Sequence, residues 1–301
     1  VDAHDLALGD DVARLWPRPC HDDDKYSRGV LGIVAGSDAY PGAAVLCTSG
    51  AAAAGTGLIR YVGPGRAQDL VLARRPEVVV HADSDAVERL PRASAWVIGP
   101  GVADHPGQEA VVGAVLASGL PCVVDAGALE ACVRARYAGD RRAGAESVLL
   151  TPHEGELVRA LGAVRHDVTA DDVRRDRAGH ARLLAETARA TVLLKGSNTL
   201  VATPGGGLTT LATATPWLAT AGAGDVLAGI AGALLASGLH APDAGRIAAW
   251  VHARAAALAS GDDPDAPTGA GGPITALDVA HAVPRVVASL VAPRGETPQS
   301  G

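Results

Sequence analysis

Gly222-Ala223-Gly224-Asp225 stands directly before an apolar run, Val226 to Ser237, built almost wholly of Ala, Leu, Ile, Val and Gly. The run reads as a buried helix. A helix N-terminus offers unpaired N–H groups and a partial positive charge, so it binds an anion without side chains. Small residues there let a phosphate approach the backbone. A carboxylate at the same point suits a base that takes the proton from a hydroxyl attacking phosphorus. Asp is also a good helix cap, and the tetrapeptide alone leaves the two readings level. A dinucleotide fingerprint fits less well, because residues 213–218, with Pro216 inside, make a poor strand.

Other polar clusters share one layout, a short apolar run followed by a small or polar turn. "LLKGSNTLV" puts Lys195 and Gly196 at a strand end, followed by Ser197, Asn198 and Thr199. In open α/β sheets ligands sit beyond the carboxyl ends of strands, so this segment offers an ammonium, a close-approach glycine and hydroxyls to an anion. By itself it is an ordinary polar turn. "LLTPHEGELVRALG" runs through Thr151-Pro152 to His153, which opens a helix with acids in its first turn. A lone loop His is more often a surface residue, and "HEGEL" lacks the second His of a zinc helix. "VAGSDAYPGAAVL" turns through Pro41-Gly42 into a helix beginning Ala43-Ala44, without the Lys-Ser/Thr of a P-loop. "VIGPGV" sets Gly99-Pro100-Gly101 at another strand end, and "VVDAGAL" offers Asp125, a carboxylate able to position Mg²⁺ or water. Six strand ends with Gly-rich or polar turns, gathered on one sheet edge, point to a nucleotide site. Of 26 basic residues only Lys25 and Lys195 are lysine, and both lie in these motifs. An ammonium and a guanidinium fork are not equivalent beside a phosphate.

The elements that must hold these turns are legible as alternating strand and helix. "GVLGIVAG", "LIRYV", "EVVVHA", "AWVIG", "PCVVDA", "SVLLT" and "TVLLK" are near-continuous apolar runs. Parallel strands covered on both faces demand that composition. "GAAVLCTSGAAAAGTG" reads as an Ala-rich helix, and "TADDVRRDRAGHARLLAETARA" as one long charged helix capped by Thr169. "NTLVATPGGGLTTLAT" breaks the rhythm with two β runs around Gly205 to Gly207, a hairpin. Helices are expected over 222–237, 243–260 and 277–290, the last kinked at Pro284. The fold class is α/β, one three-layer domain with a mostly parallel central sheet and helices on both faces.

Composition narrows the function. The 301 residues are 48% hydrophobic with a formal net charge of -7, ample for a core and opposed to a nucleic-acid footprint. The longest apolar stretch, residues 226–239, is shorter than the ~20 residues of a membrane span. The first residues carry acids where a signal peptide carries bases, so the chain reads as soluble and cytoplasmic. Cys20, Cys47, Cys122 and Cys132 form no C-x-x-C pair and read as reduced thiols.

Taken in order, "KYSRGVLGIVAGSDAYPGAAVL", "VIGPGV", "TPHEGE", "LLKGSNT" and "LATAGAGDVLAG" resemble the NAD(P)H-hydrate dehydratase family of the ribokinase-like superfamily. The resemblance runs from about Lys25 to Leu290. It implies a ribokinase-like domain over 25–292, a lead-in over 1–24 and a disordered tail over 293–301. It implies a repair reaction, in which (6S)-NADHX or NADPHX, the hydrates of NADH and NADPH, are dehydrated at the expense of ADP or ATP. AMP or ADP and phosphate are released, and Mg²⁺ is the expected metal, with no protein ligand assigned. By motif, Ala43, Ala44, Gly101, His153 and Asp225 would contact the hydrate. Lys195, Gly196, Ser197, Asn198, Thr199 and Gly224 would hold the nucleotide. Asp225 would be the base, with the amides of Gly222, Ala223, Gly224 and Asp225 stabilising the moving phosphoryl group. An NAD(P)H-hydrate epimerase is an implied partner, a homotetramer the implied assembly, and the chain either a stand-alone enzyme or half of a bifunctional one. The family commonly has a second Asp where this chain has Gly127, which bears on metal placement. A vitamin-precursor kinase of the same superfamily and an idle nucleotide-binding module are the alternative readings.

Overall fold

The computed structural model describes residues 3–102, 106–211 and 214–291. In chain order the elements are α1 (Ala3–Leu15), β1 (Val30–Val34), α2 (Gly42–Ala53), β2 (Leu58–Val62), α3 (Gly65–Arg74), β3 (Val79–His81) and α4 (Asp83–Glu88). Then come β4 (Ala95–Ile98), α5 (Pro106–Ser118), β5 (Cys122–Val124), α6 (Leu129–Tyr137), β6 (Val148–Leu150) and α7 (Glu154–Gly162). The chain closes with α8 (Ala170–Arg175), α9 (Arg177–Ala188), β7 (Thr191–Leu194), β8 (Leu200–Ala202), β9 (Leu208–Thr210), α10 (Ala223–Ala236), α11 (Ala241–Ser260) and α12 (Ala276–Val291). Among the described residues the strands form one nine-stranded sheet in the order β3-β2-β1-β4-β5-β6-β7-β8-β9. Pairing is parallel from β3 through β7, and antiparallel for β7–β8 and β8–β9.

The apolar runs do what their composition demands. β1, β4, β5, β6 and β7 are buried at every position. Successive side chains alternate between two cores. Leu31, Ile33, Val97, Val123, Leu149 and Leu193 meet α2, α10, α11 and α12 on one face. Val34, Trp96, Ile98, Val124, Leu150 and Leu194 meet helices α5, α6, α7 and α9 on the other. Each fully buried Val, Leu or Ile contributes about 1.5–3 kcal/mol over an exposed one.

The expected hairpin is present as β8–β9. The single helix expected from Thr169 is instead two. Asp176 leaves the helical region at φ -144 and ψ 75, and its carboxylate accepts the Gly179 N–H, restarting the chain as α9. Side-chain capping by Asp competes with continued helix here. Pro284 lies inside the continuous helix α12. The lead-in contains α1, which docks on the domain: Val12 and Trp16 are buried, and Arg246 of α11 donates to Asp11 at 2.8 Å. The expected tail, 293–301, lies outside the described residues.

Helices α2 and α10 pack backbone to backbone. A Cβ on Gly50 would stand 2.3 Å from the Val226 carbonyl oxygen, and one on Gly229 2.1 Å from that of Cys47. Leu46 stands over Gly222, so residues 46 and 50 meet 222 and 226 and the helices run in the same direction. Both N-termini therefore reach the edge where the parallel strands end.

Candidate active site

The carboxyl ends of β1, β4, β5, β6 and β7 share that edge. Backbone bonds tie their turns together: Gly36 N–H donates to Pro100 O at 2.7 Å, and Lys195 N–H donates to Pro152 O at 2.8 Å. The turn after β5 contributes Asp125, the turn after β6 His153, and the turn after β7 Lys195.

At the centre lies a buried charge cluster. Lys195 Nζ donates to Asp125 Oδ1 at 2.7 Å and lies 3.4 Å from Glu156 Oε2. Thr151 Oγ1 donates to the same Asp125 oxygen at 2.8 Å, and Asp125 is 2% exposed. Burial opposes the charge on Lys195, but the two carboxylates outweigh it and hold the ammonium above its ordinary proton affinity. A Cβ on Gly224 would stand 3.4 Å from Lys195 Nζ, which places the ammonium beside the first turn of α10.

Asp225 completes the cluster. The N-cap of α10 is Gly222, at φ 83, a left-handed conformation that suits glycine, and no side chain caps that residue's helix. Asp225 therefore lies inside the first turn rather than at the cap position. Burial, then the negative fields of Asp125 and Glu156 against the relief from Lys195, raise its pKa from the usual 3.8 to about 7. A carboxyl poised near neutrality can take up and release a proton at working pH.

Beside Gly224 opens a cleft of about 460 Å³. Lys195, Gly196, Ser197 and Thr199 form one side, Ala223, Gly224 and Leu227 the floor, and Ala214, Pro216, Leu218 and Ala219 an apolar wall. Arg177 braces the turn, donating to Asn198 O at 2.9 Å and Lys195 O at 3.0 Å. A cleft of this size, with polar and apolar residues in its lining, fits a nucleotide.

The residues assigned to the hydrate lie on the other flank. A Cβ on Gly101, at φ +62, would stand 2.5 Å from Ala43 Cβ, and one on Gly36 3.0 Å from Ala44 Cβ. Ala44 is fully buried, so it packs the turn, whereas Ala43 borders Gly101. Ala43 and Leu46, three apart on one face of α2, link this flank to Gly222. His153 is the N-cap of α7: its Nδ1 accepts the Gly155 N–H at 3.0 Å, while Glu156 Oε2 accepts the His153 N–H at 2.8 Å. Pro152 precedes this cap. A further cleft of about 550 Å³, lined by Val102, Gly127, Glu156, Arg134 and Arg159 among others, opens beside this flank.

Two site residues escape sequence reasoning. Glu156 reads as a first-turn acid, and only the pairing with Lys195 gives it a place in the cluster. His252 lines the nucleotide-sized cleft from α11, and its one sequence signal is a lone imidazole within an Ala-rich helix. Among the described residues no group of three or more His, Cys, Asp or Glu is arranged to hold a metal. Lys195 already pairs with Asp125 and Glu156, and a Cβ on Gly127 would meet the Val102 carbonyl oxygen at 2.5 Å, so that turn has no room for a second carboxylate. Among those residues no helix is long and apolar enough to cross a membrane.

A mostly parallel sheet with helices on both faces, and a helix N-terminus at the edge where the parallel strands end, define a ribokinase-like α/β fold. Ribokinase from Thermotoga maritima shares the fold, at a TM-score of 0.51 and 12% identity over 87% of this chain and 99% of that one. A family model described as NAD(P)H-hydrate dehydratase matches residues 31–265. The chain belongs to this family. The bifunctional NAD(P)H-hydrate repair enzyme of Mycobacterium leprae is 44% identical over 263 residues, 86% of this chain and 52% of that protein. The chain thus spans about half the length of the bifunctional relatives it matches. The ADP-dependent (S)-NAD(P)H-hydrate dehydratase of Neisseria meningitidis is 34% identical over 241 residues, 78% of each chain. The ADP/ATP-dependent NAD(P)H-hydrate dehydratase of Bacillus subtilis, co-crystallised with ATP/Mg²⁺, superposes with a TM-score of 0.80 at 27% identity, covering 94% of this chain and 97% of that one.

Proposed function

We propose that the chain dehydrates the (6S) hydrates of NADH and NADPH, with ADP or ATP as co-substrate. The observation that carries this reading is Asp225, an acid with a pKa of about 7 in the first turn of α10, between the cleft beside Gly224 and the Ala43–Gly101 flank. The nucleotide lies along Lys195 to Thr199, with its terminal phosphate at the N–H groups of residues 222–225. The hydrate's ring hydroxyl approaches from the side of Ala43, Gly101 and His153. Asp225 accepts the hydroxyl proton as the oxygen attacks the terminal phosphorus, and AMP departs from ADP, or ADP from ATP. Phosphate, a far better leaving group than hydroxide, is then expelled by the ring nitrogen lone pair. Loss of a proton from the neighbouring ring carbon restores the double bond. The helix amides stabilise the transferring group without reorganising.

Mg²⁺ is the expected metal, and the described residues do not form a cage of their own for it. Mg²⁺ is commonly carried by substrate phosphates with one or two carboxylates, and no step here is assigned to it. The reading extends to a homotetrameric cytoplasmic enzyme that works alongside an NAD(P)H-hydrate epimerase. Incubation with hydrated NADH, Mg²⁺ and ADP or ATP tests the activity. Regained absorbance of the reduced ring together with free phosphate is expected, whereas a phosphoester without phosphate release would indicate a kinase. Light scattering reads the assembly.

A further inference from the structure

The reaction proposed above gives no work to His252, a polar residue of the nucleotide cleft. His252 of α11 forms part of the cleft wall and is only 5% exposed. Its Nε2 is buried and has no hydrogen-bond partner among the described residues. The ring's hydrogen bond is to the backbone of Ala223, and that bond strengthens the ring's hold on its proton. The backbone group is therefore the carbonyl, and the imidazole is the donor. Burial lowers the pKa to about 4, so the ring is neutral at physiological pH. A neutral imidazole has one N–H and one lone pair. With its N–H directed at Ala223, His252 keeps an unused acceptor at Nε2.

The surroundings say what would use it. Lys195, beside the first turn of α10, marks the end where phosphates belong, and Pro216, Leu218 and Leu227 give the cleft an apolar lining. A flat heteroaromatic ring fits such a cleft, and a buried acceptor there selects a ring with a donor on its edge. Adenine presents an exocyclic amine, a donor. A 6-oxopurine presents a carbonyl oxygen at the same position, and two lone pairs would face each other. We propose that His252 Nε2 accepts a hydrogen bond from the exocyclic amine of adenine and so makes the cleft selective for adenine over 6-oxopurine nucleotides. This rests on the nucleotide reading of the cleft given above.

Calorimetry on the full chain with ADP and with IDP, its 6-oxo counterpart, tests it. The unmodified protein should bind ADP about tenfold more tightly than IDP, the worth of one neutral hydrogen bond and the penalty for its loss. In His252→Leu, verified as folded by its melting curve, ADP should weaken by about five- to tenfold while IDP stays within about twofold. In the unmodified protein the ¹⁵N signal of the His252 Nε2 should move on saturation with ADP and stay in place with IDP, which needs no variant. Equal affinity for the two nucleotides, a folded Leu variant that keeps the preference, or an unmoved Nε2 signal with ADP would each overturn the role of His252. Those outcomes leave the cleft as the nucleotide site if Lys195→Ala still weakens ADP. Failure of ADP to bind the unmodified protein, or binding indifferent to Lys195, removes the cleft reading and this inference with it.

Discussion

Replacing Asp225 by Asn separates a base from a piece of helix architecture, because stability and rate should move in opposite directions. The carboxyl has a pKa of about 7 in the folded chain against 3.8 ordinarily. An acid whose folded pKa is raised binds its proton more tightly in the native state than in the unfolded one. Between pH 4 and 7 the native state therefore holds more protons, and stability falls as pH rises through that window. The shift corresponds to about 4 kcal/mol at most, reduced to about 2 kcal/mol when solvent screening of this part-exposed group is allowed for. Asn cannot ionise, so the variant should match the parent near pH 4 and exceed it by about 2–4 kcal/mol at pH 8. At roughly 2 °C per kcal/mol for a chain of this length, the pH 8 melt should rise by roughly 4–8 °C. Turnover should meanwhile fall by about 10²–10⁴-fold, the range for a lost general base. Thermal melts from pH 4 to 8, beside hydrate turnover at saturation, read both quantities. A folded Asn variant turning over within a few-fold of the parent would refute the base. A melt with no gain at pH 8 would refute the electrostatic account of the cluster.

Lys195→Ala strands the buried Asp125 carboxylate, so it should cost about 3–5 kcal/mol in a urea melt and weaken ADP binding at least about tenfold. Unchanged ADP affinity in calorimetry would take Lys195 out of the nucleotide site. Gly101→Ala puts a methyl 2.5 Å from Ala43 Cβ at a left-handed φ of +62. It should raise the apparent KM for the hydrate with the nucleotide KM unmoved, and equal shifts in both would argue against the two-flank division. Arg177→Ala removes the donors to Lys195 O and Asn198 O. About 1 kcal/mol per such bond implies a nucleotide KM raised by about fivefold or more, with wild-type kinetics marking Arg177 as scaffold only.

The sheet was legible because its strands need so little context. "LIRYV" is β2 from end to end, and "TVLLK" contains β7, since apolar β-branched runs between helices admit few other fates. Asp176 was opaque for the opposite reason: it can continue a helix or cap one, and only the Gly179 N–H within its reach decides. Asp125 and Lys195 were each visible as polar residues at strand ends. Their pairing across 70 residues was not, because parallel crossovers set that neighbourhood rather than spacing. His252 was hidden by burial, since an imidazole in an Ala-rich helix gives no sign of which nitrogen lacks a partner. Asp225 was found as a residue, but its near-neutral titration depends on burial first and then on two acids from distant turns.

The contact of α2 with α10 bears on how such a cleft can change over generations. Gly50 and Gly229 leave no gap between the helices, so any added carbon there must separate their backbones. That contact also sets the spacing between Ala43, on the hydrate flank, and Asp225. A mutation that widens it disturbs the hydroxyl and the acid together, and drift along this seam is closed off. The wall at Pro216, Leu218 and Ala219 stands apart from the seam, in the segment between β9 and α10. Substitutions there can reshape what the slot admits while the phosphoryl edge stays as it is. Altered donor preference, whether inherited or engineered, therefore has its open route through that wall and through His252, with the paired helices held constant.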